Sequence, residues 1–229
     1  MNADAEAADR KAAVAALCRL DALGLNRGST GNLSLRCQRG SDSSAAAEPG
    51  MLITPTGMAA DELGAQDLVW VGFADGRVEG AWQPSSEWHF HRAVYQARPD
   101  LRAIVHTHAT HATALACLRR PLPAFHYMVA VAGGDSVPCV PYETFGTDAL
   151  SQRVAAALVD RDACLMANHG IVAAGANLQQ AMKVMLEVES LCGVYLQALS
   201  VGEPALLTTE QMAAVIDRFR HYGKSALRR

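Results

Sequence analysis

Three features of the chain predict a single α/β domain in which helices flank a central sheet. Short runs rich in β-branched residues, bounded by glycine, proline and asparagine, recur along the sequence. Longer stretches with apolar residues at three- and four-residue intervals alternate with them. No internal repeat and no Pro/Ser-rich linker divides the 229 residues. Residues 1–229 are therefore assigned to one domain, with 1–8 and 224–229 expected as mobile tails and 38–50 as a surface loop.

In chain order, the first element is an amphipathic helix over 9–25, with Ala13, Leu17, Leu20 and Leu23 on one stripe and Gly24 at its end. Gly28, Ser29, Thr30 and Gly31 then form a turn rich in hydroxyls and bare amides, and Leu33 and Leu35 alternate with polar neighbours as a strand begins. Met51 to Ile53 reads as a short strand ending in the Pro55-Thr56-Gly57 turn. Residues 67–73 and 78–81 read as strands joined through Asp75-Gly76. Ser85 is the expected N-cap of a helix running to Ala97, with Glu87 in its first turn.

Ile104 to His108 then reads as a strand, 110–118 as a helix, and Thr147 caps a helix with Leu150, Val154 and Leu158 on one stripe. A strand from Ala163 turns at Asn168-His169-Gly170 and returns. The longest helix covers 178–199, and Thr208 to Gln211 fits a capping box that opens a last helix through Arg220.

Half of the residues are apolar, 19% are charged, and the formal net charge is −3. No basic face is evident, so nucleic acid and acidic membrane surfaces are not expected partners. No apolar run is long enough for a membrane span. The six cysteines are scattered without a CxxC pair, and the acidic start lacks the pattern of a signal peptide. These features lead to an expectation of free thiols and a cytoplasmic location.

The chemistry centres on Ile104-Val105-His106-Thr107-His108. On a strand, residues two apart share a face, so His106 and His108 point one way and Thr107 the other. Two hydrogen-bonded histidines at a strand end fit this segment equally well. His169, beside glycine at another strand end, and Glu87 supply further ligands of the types a divalent ion takes. His89, His91, His111, His126 and His221 are read as structural or surface residues. Gly31-Asn32, Thr56-Gly57 and Ser85-Ser86 together would form an anion pocket of amides and hydroxyls suited to a phosphate monoester.

The segments Gly31-Asn32-Leu33-Ser34, Ile53-Thr54-Pro55-Thr56-Gly57, Pro84-Ser85-Ser86-Glu87, Val105-His106-Thr107-His108 and Asn168-His169-Gly170, in this order, resemble the class II aldolase/adducin family. The likeness runs from about Leu17 to Gly223; only the 41–49 loop looks longer than the family's. The resemblance implies a mixed, largely antiparallel sheet flanked by helices. It implies one Zn²⁺ per subunit, with Mn²⁺ or Co²⁺ as alternatives, held by His106, His108 and His169, with Glu87 as resting ligand and acid/base. Gly31, Asn32, Thr56, Gly57, Ser85 and Ser86 would bind substrate phosphate. Tyr127 would be a proton donor from a neighbouring subunit, Tyr222 a tail residue closing the site, and Phe145 an aromatic wall steering the aldehyde.

The same resemblance implies a C4 homotetramer that reversibly cleaves a ketose 1-phosphate to dihydroxyacetone phosphate and a small aldehyde. Related chemistry in the family includes epimerases, dehydratases and decarboxylases of phosphorylated substrates, and a non-catalytic adducin-like interaction module is the alternative of a different class.

Overall fold

The structure is a computed structural model that describes residues 3–39 and 48–221. Eight strands form one sheet in the order β4-β3-β2-β1-β5-β8-β7-β6. The strands are β1 (Asn32–Arg39), β2 (Glu48–Ile53), β3 (Val69–Gly72), β4 (Val78–Glu79), β5 (Ala103–Thr107), β6 (Cys139–Val140), β7 (Ala163–Met166) and β8 (Gly170–Gly175). Every neighbouring pair is antiparallel except β6 and β7. The sheet is thus mixed and largely antiparallel, as expected.

The helices are α1 (Ala3–Ala22), α2 (Trp88–Ala97), α3 (Thr110–Cys117), α4 (Asp148–Ala157), α5 (Leu178–Leu199) and α6 (Thr209–His221). Strand alternation sends neighbouring residues to opposite faces. Leu33, Leu52, Trp70, Val105 and Ile171 pack with α1, α3 and α5. Met51, Ile53, Val71, Ile104 and Val172 pack with α2 and α4. The sheet is therefore buried on both faces, with β1 and β5 at its centre.

Several boundaries differ from the sequence expectation. Residues 3–8, expected in a mobile tail, form the first turns of α1. Glu6 fastens them, pairing with Arg10 at 2.8 Å and with Arg39 of β1 at 3.0 Å. The 38–50 surface loop is shorter than expected: residues 38–39 complete β1, 48–50 open β2, and the rest of that stretch lies outside the described residues. The 224–229 tail and Tyr222 also lie outside them.

Helix α2 starts at Trp88, so Ser85 is not its N-cap. Ser85 is instead tied to the end of β2 through its amide and the Thr54 carbonyl, at 2.9 Å. Other ends match. The Thr147 hydroxyl accepts from Leu150 N, Asn177 caps α5, and Thr208 and Gln211 exchange side-chain-to-amide bonds at the start of α6. Among the described residues no helix is long and apolar enough to cross a membrane.

Candidate active site

The site lies at one end of the sheet, where β5 finishes, β1 begins and the β7–β8 turn reverses. Asn32 pairs with His106 across β1 and β5, and Thr107 pairs with Ile171 across β5 and β8. This register brings residues more than 130 positions apart in sequence to one strand edge. Thr107 faces α5, donating to Met185 Sδ at 3.3 Å. His106 faces the other way, fully buried, its ring edge-on to Phe90 of α2.

The rings of His106, His108 and His169 lie with centroids 4.9 to 5.0 Å apart. Each can present one nitrogen within 4.8 Å of the others'. The tight turn behind His169 is what permits this. Asn168 adopts a left-handed φ of 55°, a shape asparagine tolerates better than most residues. A Cβ on Gly170 would lie 2.5 Å from Thr107 O and 3.0 Å from His108 Cδ2, so only glycine allows β8 to approach that closely.

Glu87, 7% exposed, reaches two of the three histidines. Its carboxylate spans His106 Nε2 at 3.1 Å and His169 Nε2 at 3.3 Å. His106 Nδ1 lies 2.9 Å from the Ile171 carbonyl. Because a carbonyl only accepts, Nδ1 carries the proton and Nε2 presents a lone pair, the second-sphere arrangement that readies an imidazole for a metal. His106 Nε2 and Glu87 Oε1 are buried without a well-aligned hydrogen-bond partner. Such orphaned buried atoms are costly. Three imidazoles and a carboxylate with unmet valences fit a divalent ion of the zinc type.

Electrostatics favour the same reading. Burial works to raise the Glu87 carboxyl, but His106, His169 and the Asn32 amide outweigh it and hold the group well below the usual carboxylate range. Burial, with His106 beside it, lowers His169 to about 4. Burial and His106 likewise lower His108. Burial opposes protonation of His106 too, yet the adjacent carboxylate raises it. An ionised carboxylate beside two imidazoles that resist protonation, His108 and His169, and a third, His106, that it holds by its charge is a group with negative charge and lone pairs to offer a cation.

A cavity of about 310 Å³ opens beside these groups. One wall carries Gly31, Thr56, Gly57, Ser85 and Ser86, and another carries Tyr142, Glu143 and Phe145, while Glu87, His108 and His169 line the floor. Among the described residues no lysine or arginine lines it. Gly31 has φ of 76°, and a Cβ there would lie 2.6 Å from His106 O, so the turn must be glycine to sit against the metal-side strand. A larger groove of about 850 Å³ lies between α1 and α5, without a cluster of possible metal ligands.

Among the expected anion-binding residues, Asn32 also lines the cavity. Its side chain is 2% exposed and turned inward, donating to Ser85 Oγ at 3.0 Å and Glu87 Oε2 at 2.9 Å. Tyr127 is half exposed on a 3₁₀ turn and does not line the cavity of its own chain. Phe145 does line it. Of the histidines read as structural, His91 is fully buried and partnered, and His111 Nδ1 pairs with Glu189 at 2.9 Å.

Two features escaped the sequence reading. Tyr142 and Glu143 share the Phe145 wall; their position in the same Pro141 to Thr147 segment was the available signal. Glu189 is buried in α5 and caps the start of α3, accepting from His111 N and Ala112 N. A charged residue interrupting the Met185, Val188, Cys192 stripe was the clue.

A family model described as class II aldolase and adducin N-terminal domain matches residues 12–196. The chain is 47% identical over 202 residues to an L-fuculose phosphate aldolase of Escherichia coli O6:H1, covering 88% of this chain and 89% of that protein. It is 46% identical over 204 residues to a 5-methylthioribulose-1-phosphate/5-deoxyribulose-1-phosphate aldolase of Rhodospirillum rubrum, covering 89% and 87%. A solved L-fuculose 1-phosphate aldolase superposes with a TM-score of 0.84 at 39% identity, covering 96% of this chain and 98% of the other. The chain belongs to the class II aldolase and adducin family, and within it to the aldolases, which are metal-dependent lyases.

Proposed function

We propose that this protein reversibly cleaves a ketose 1-phosphate into dihydroxyacetone phosphate and a small aldehyde, with L-fuculose 1-phosphate as the substrate to try first. The observation that carries this reading is a carboxylate set between two ligand-grade imidazoles on the floor of a cavity walled by bare amides and hydroxyls. His106, His108 and His169 would hold the ion, with Glu87 completing the set at rest. The donor set favours Zn²⁺, and Mn²⁺ or Co²⁺ is also compatible with it. When bound, the ion supplies Lewis-acid stabilisation of the negative charge that builds as the carbon–carbon bond breaks.

The chain's own residues do the remaining work. The Gly31-Asn32 turn, the Thr56-Gly57 turn and the Ser85 and Ser86 hydroxyls bind the phosphate and so place the sugar over Glu87. As the bond between the third and fourth carbons breaks, its electron pair stays with the three-carbon fragment, and Glu87 returns a proton to that carbon. No lysine Schiff base is needed. Phe145 forms the wall beside the departing aldehyde. Tyr127 exchanges the proton on the aldehyde oxygen of an adjacent subunit's site, in the C4 homotetramer that the resemblance implies; its exposure away from its own cavity leaves it free to do so. The family resemblance gives Tyr222 the role of closing the site.

A second substrate reading is favoured by the relative named for 5-methylthioribulose 1-phosphate and 5-deoxyribulose 1-phosphate, whose identity to this chain is nearly the same. Both readings use one phosphate pocket and one metal group, and differ in what the Phe145 wall must accept. Release of dihydroxyacetone phosphate by zinc-loaded protein, measured across these substrates, separates them. Carbon dioxide or an epimer as the product, with no dihydroxyacetone phosphate, would overturn the aldolase reading. A chain without bound metal or turnover would point to the adducin-like module.

A further inference from the structure

The cavity wall that carries Tyr142, Glu143 and Phe145 is a short, well-anchored segment. It joins β6 to α4. At its start the Val140 carbonyl accepts from Ala167 N at 3.0 Å. At its end the Thr147 hydroxyl donates to the Thr144 carbonyl at 2.7 Å and accepts from Leu150 N. Gly146 has a left-handed φ of 75°, and a Cβ there would lie 3.2 Å from the Ser86 carbonyl. The segment is therefore seated directly against the Ser85-Ser86 turn.

Two carboxylates are among the described residues lining the cavity, Glu87 and Glu143. Glu87 is engaged with the histidines. Glu143 is not. Its Oε1 accepts from Arg153 Nε of α4 at 2.7 Å. Arg153 does not line the cavity, so it holds the carboxylate from outside. Among the described residues Oε2 accepts no hydrogen bond, and the side chain is 28% exposed. The wall thus offers the cavity one tethered, negatively charged acceptor between two exposed rings, Tyr142 and Phe145.

We propose that Glu143 selects the aldehyde half of the substrate by accepting a hydrogen bond from a hydroxyl on it. The chain would then prefer ketose 1-phosphates that carry a hydroxyl on the fifth carbon over those that are deoxy or thioether-substituted there. The proposal rests on the aldolase reading above. The phosphate sits on the first carbon, so the fragment beyond the broken bond is the far end of the substrate. In L-fuculose 1-phosphate that fragment leaves as 2-hydroxypropanal, which has a hydroxyl to donate and a methyl for the rings. In 5-deoxyribulose 1-phosphate it leaves as acetaldehyde, which has no hydroxyl. A carboxylate faced with a methyl or thioether group loses water and gains no partner. A site built to bind a hydroxyl rejects the analogue lacking it more strongly than an apolar pocket rejects an added one.

The test is dihydroxyacetone phosphate release by zinc-loaded, full-length protein from L-fuculose 1-phosphate and from 5-deoxyribulose 1-phosphate, read as the ratio of the two kcat/KM values. The wild type is expected to favour the hydroxylated substrate by about tenfold or more, as for one hydrogen bond to a charged group. Glu143→Ala is expected to lower kcat/KM for L-fuculose 1-phosphate about tenfold and to leave or raise that for the deoxy substrate. Glu143→Gln, which keeps an acceptor oxygen without the charge, should fall between the two. Arg153→Met removes the tether but keeps the carboxylate, and should retain more of the preference than Glu143→Ala. Equal losses on both substrates in Glu143→Ala, or the same change of ratio in Arg153→Met, would assign the effect to the shape of the wall and overturn the proposal. A wild type that prefers the deoxy substrate would also overturn it and leave the aldolase reading standing. Release of dihydroxyacetone phosphate from neither substrate would overturn the aldolase reading, and the proposal with it.

Discussion

The two halves of the cavity are built on opposite principles. The histidine half is made of side chains with few alternatives: His106 is fully buried on a central strand, its tautomer fixed by a carbonyl, and Glu87 lies across two rings. The anion half is made of turns. Thr56, Gly57 and Ser86 are exposed, and among the described residues no cationic side chain lines the wall they form. The first half concentrates charge where desolvation makes each interaction strong. The second spreads an anion's charge over several neutral donors, each replaceable in part by water. Damage to the first should therefore abolish chemistry, while damage to the second should weaken binding.

The largest effect should follow His169→Ala. Removing one of three imidazoles should release the metal and lower kcat by about a thousandfold or more, in the range of an electrostatic contribution of several kcal/mol. Elemental analysis beside a dihydroxyacetone phosphate assay reads both. Metal retained at wild-type affinity with normal turnover would remove His169 from the ligand set.

Glu87→Gln sharpens the comparison, since it keeps the shape and the Asn32 contact but discards the base. Turnover should fall by about 10²- to 10⁴-fold while metal remains bound. Full activity would show that another group handles the proton.

On the other wall, Thr56→Ala or Ser86→Ala should raise KM for the phosphorylated substrate by about tenfold, leave metal content unchanged and alter kcat less. If either variant instead lost metal, the separation of the two halves would be wrong.

The smallest effect concerns His91, which meets Asn32 behind Glu87. Burial drives His91 down to about 3, whereas an unfolded chain protonates it near the ordinary value of about 6.5. Between those values the unfolded state binds more protons, so stability falls as pH drops through that window. From pH 7 to pH 5 this single residue contributes up to about 2 kcal/mol of loss. Denaturant titrations of wild type and His91→Gln at both pH values should show a shallower loss in the variant, and parallel curves would remove His91 as a source.

Much of the histidine half was legible in the sequence, because imidazoles and carboxylates carry their chemistry in their identity and strand periodicity fixes which way they point. His106 and Thr107 take opposite faces of β5, as their spacing required. The largely antiparallel sheet and the packed stripe of α5 were legible for the same reason.

The anion half was legible as small turn residues, but not in detail. Asn32 looks like a surface donor in a Gly-Asn turn, and only the β1–β5 register turns its side chain inward to Glu87. Ser85 looks like a helix cap because it precedes an amphipathic stripe, yet its amide is claimed by Thr54 across a distant strand end. The first turns of α1 were missed because their hold depends on Glu6 reaching Arg39 of another element. Contacts between remote segments leave no local period in a sequence.

The most direct measurement is a metal titration of chelator-treated protein followed by turnover. Zinc should rebind at about one equivalent per chain, the stoichiometry of a single tetrahedral site, restore dihydroxyacetone phosphate formation in proportion, and fail to do either in His108→Ala. Undiminished cleavage by the chelator-treated chain, or normal zinc uptake by His108→Ala, would contradict the metal-centred account.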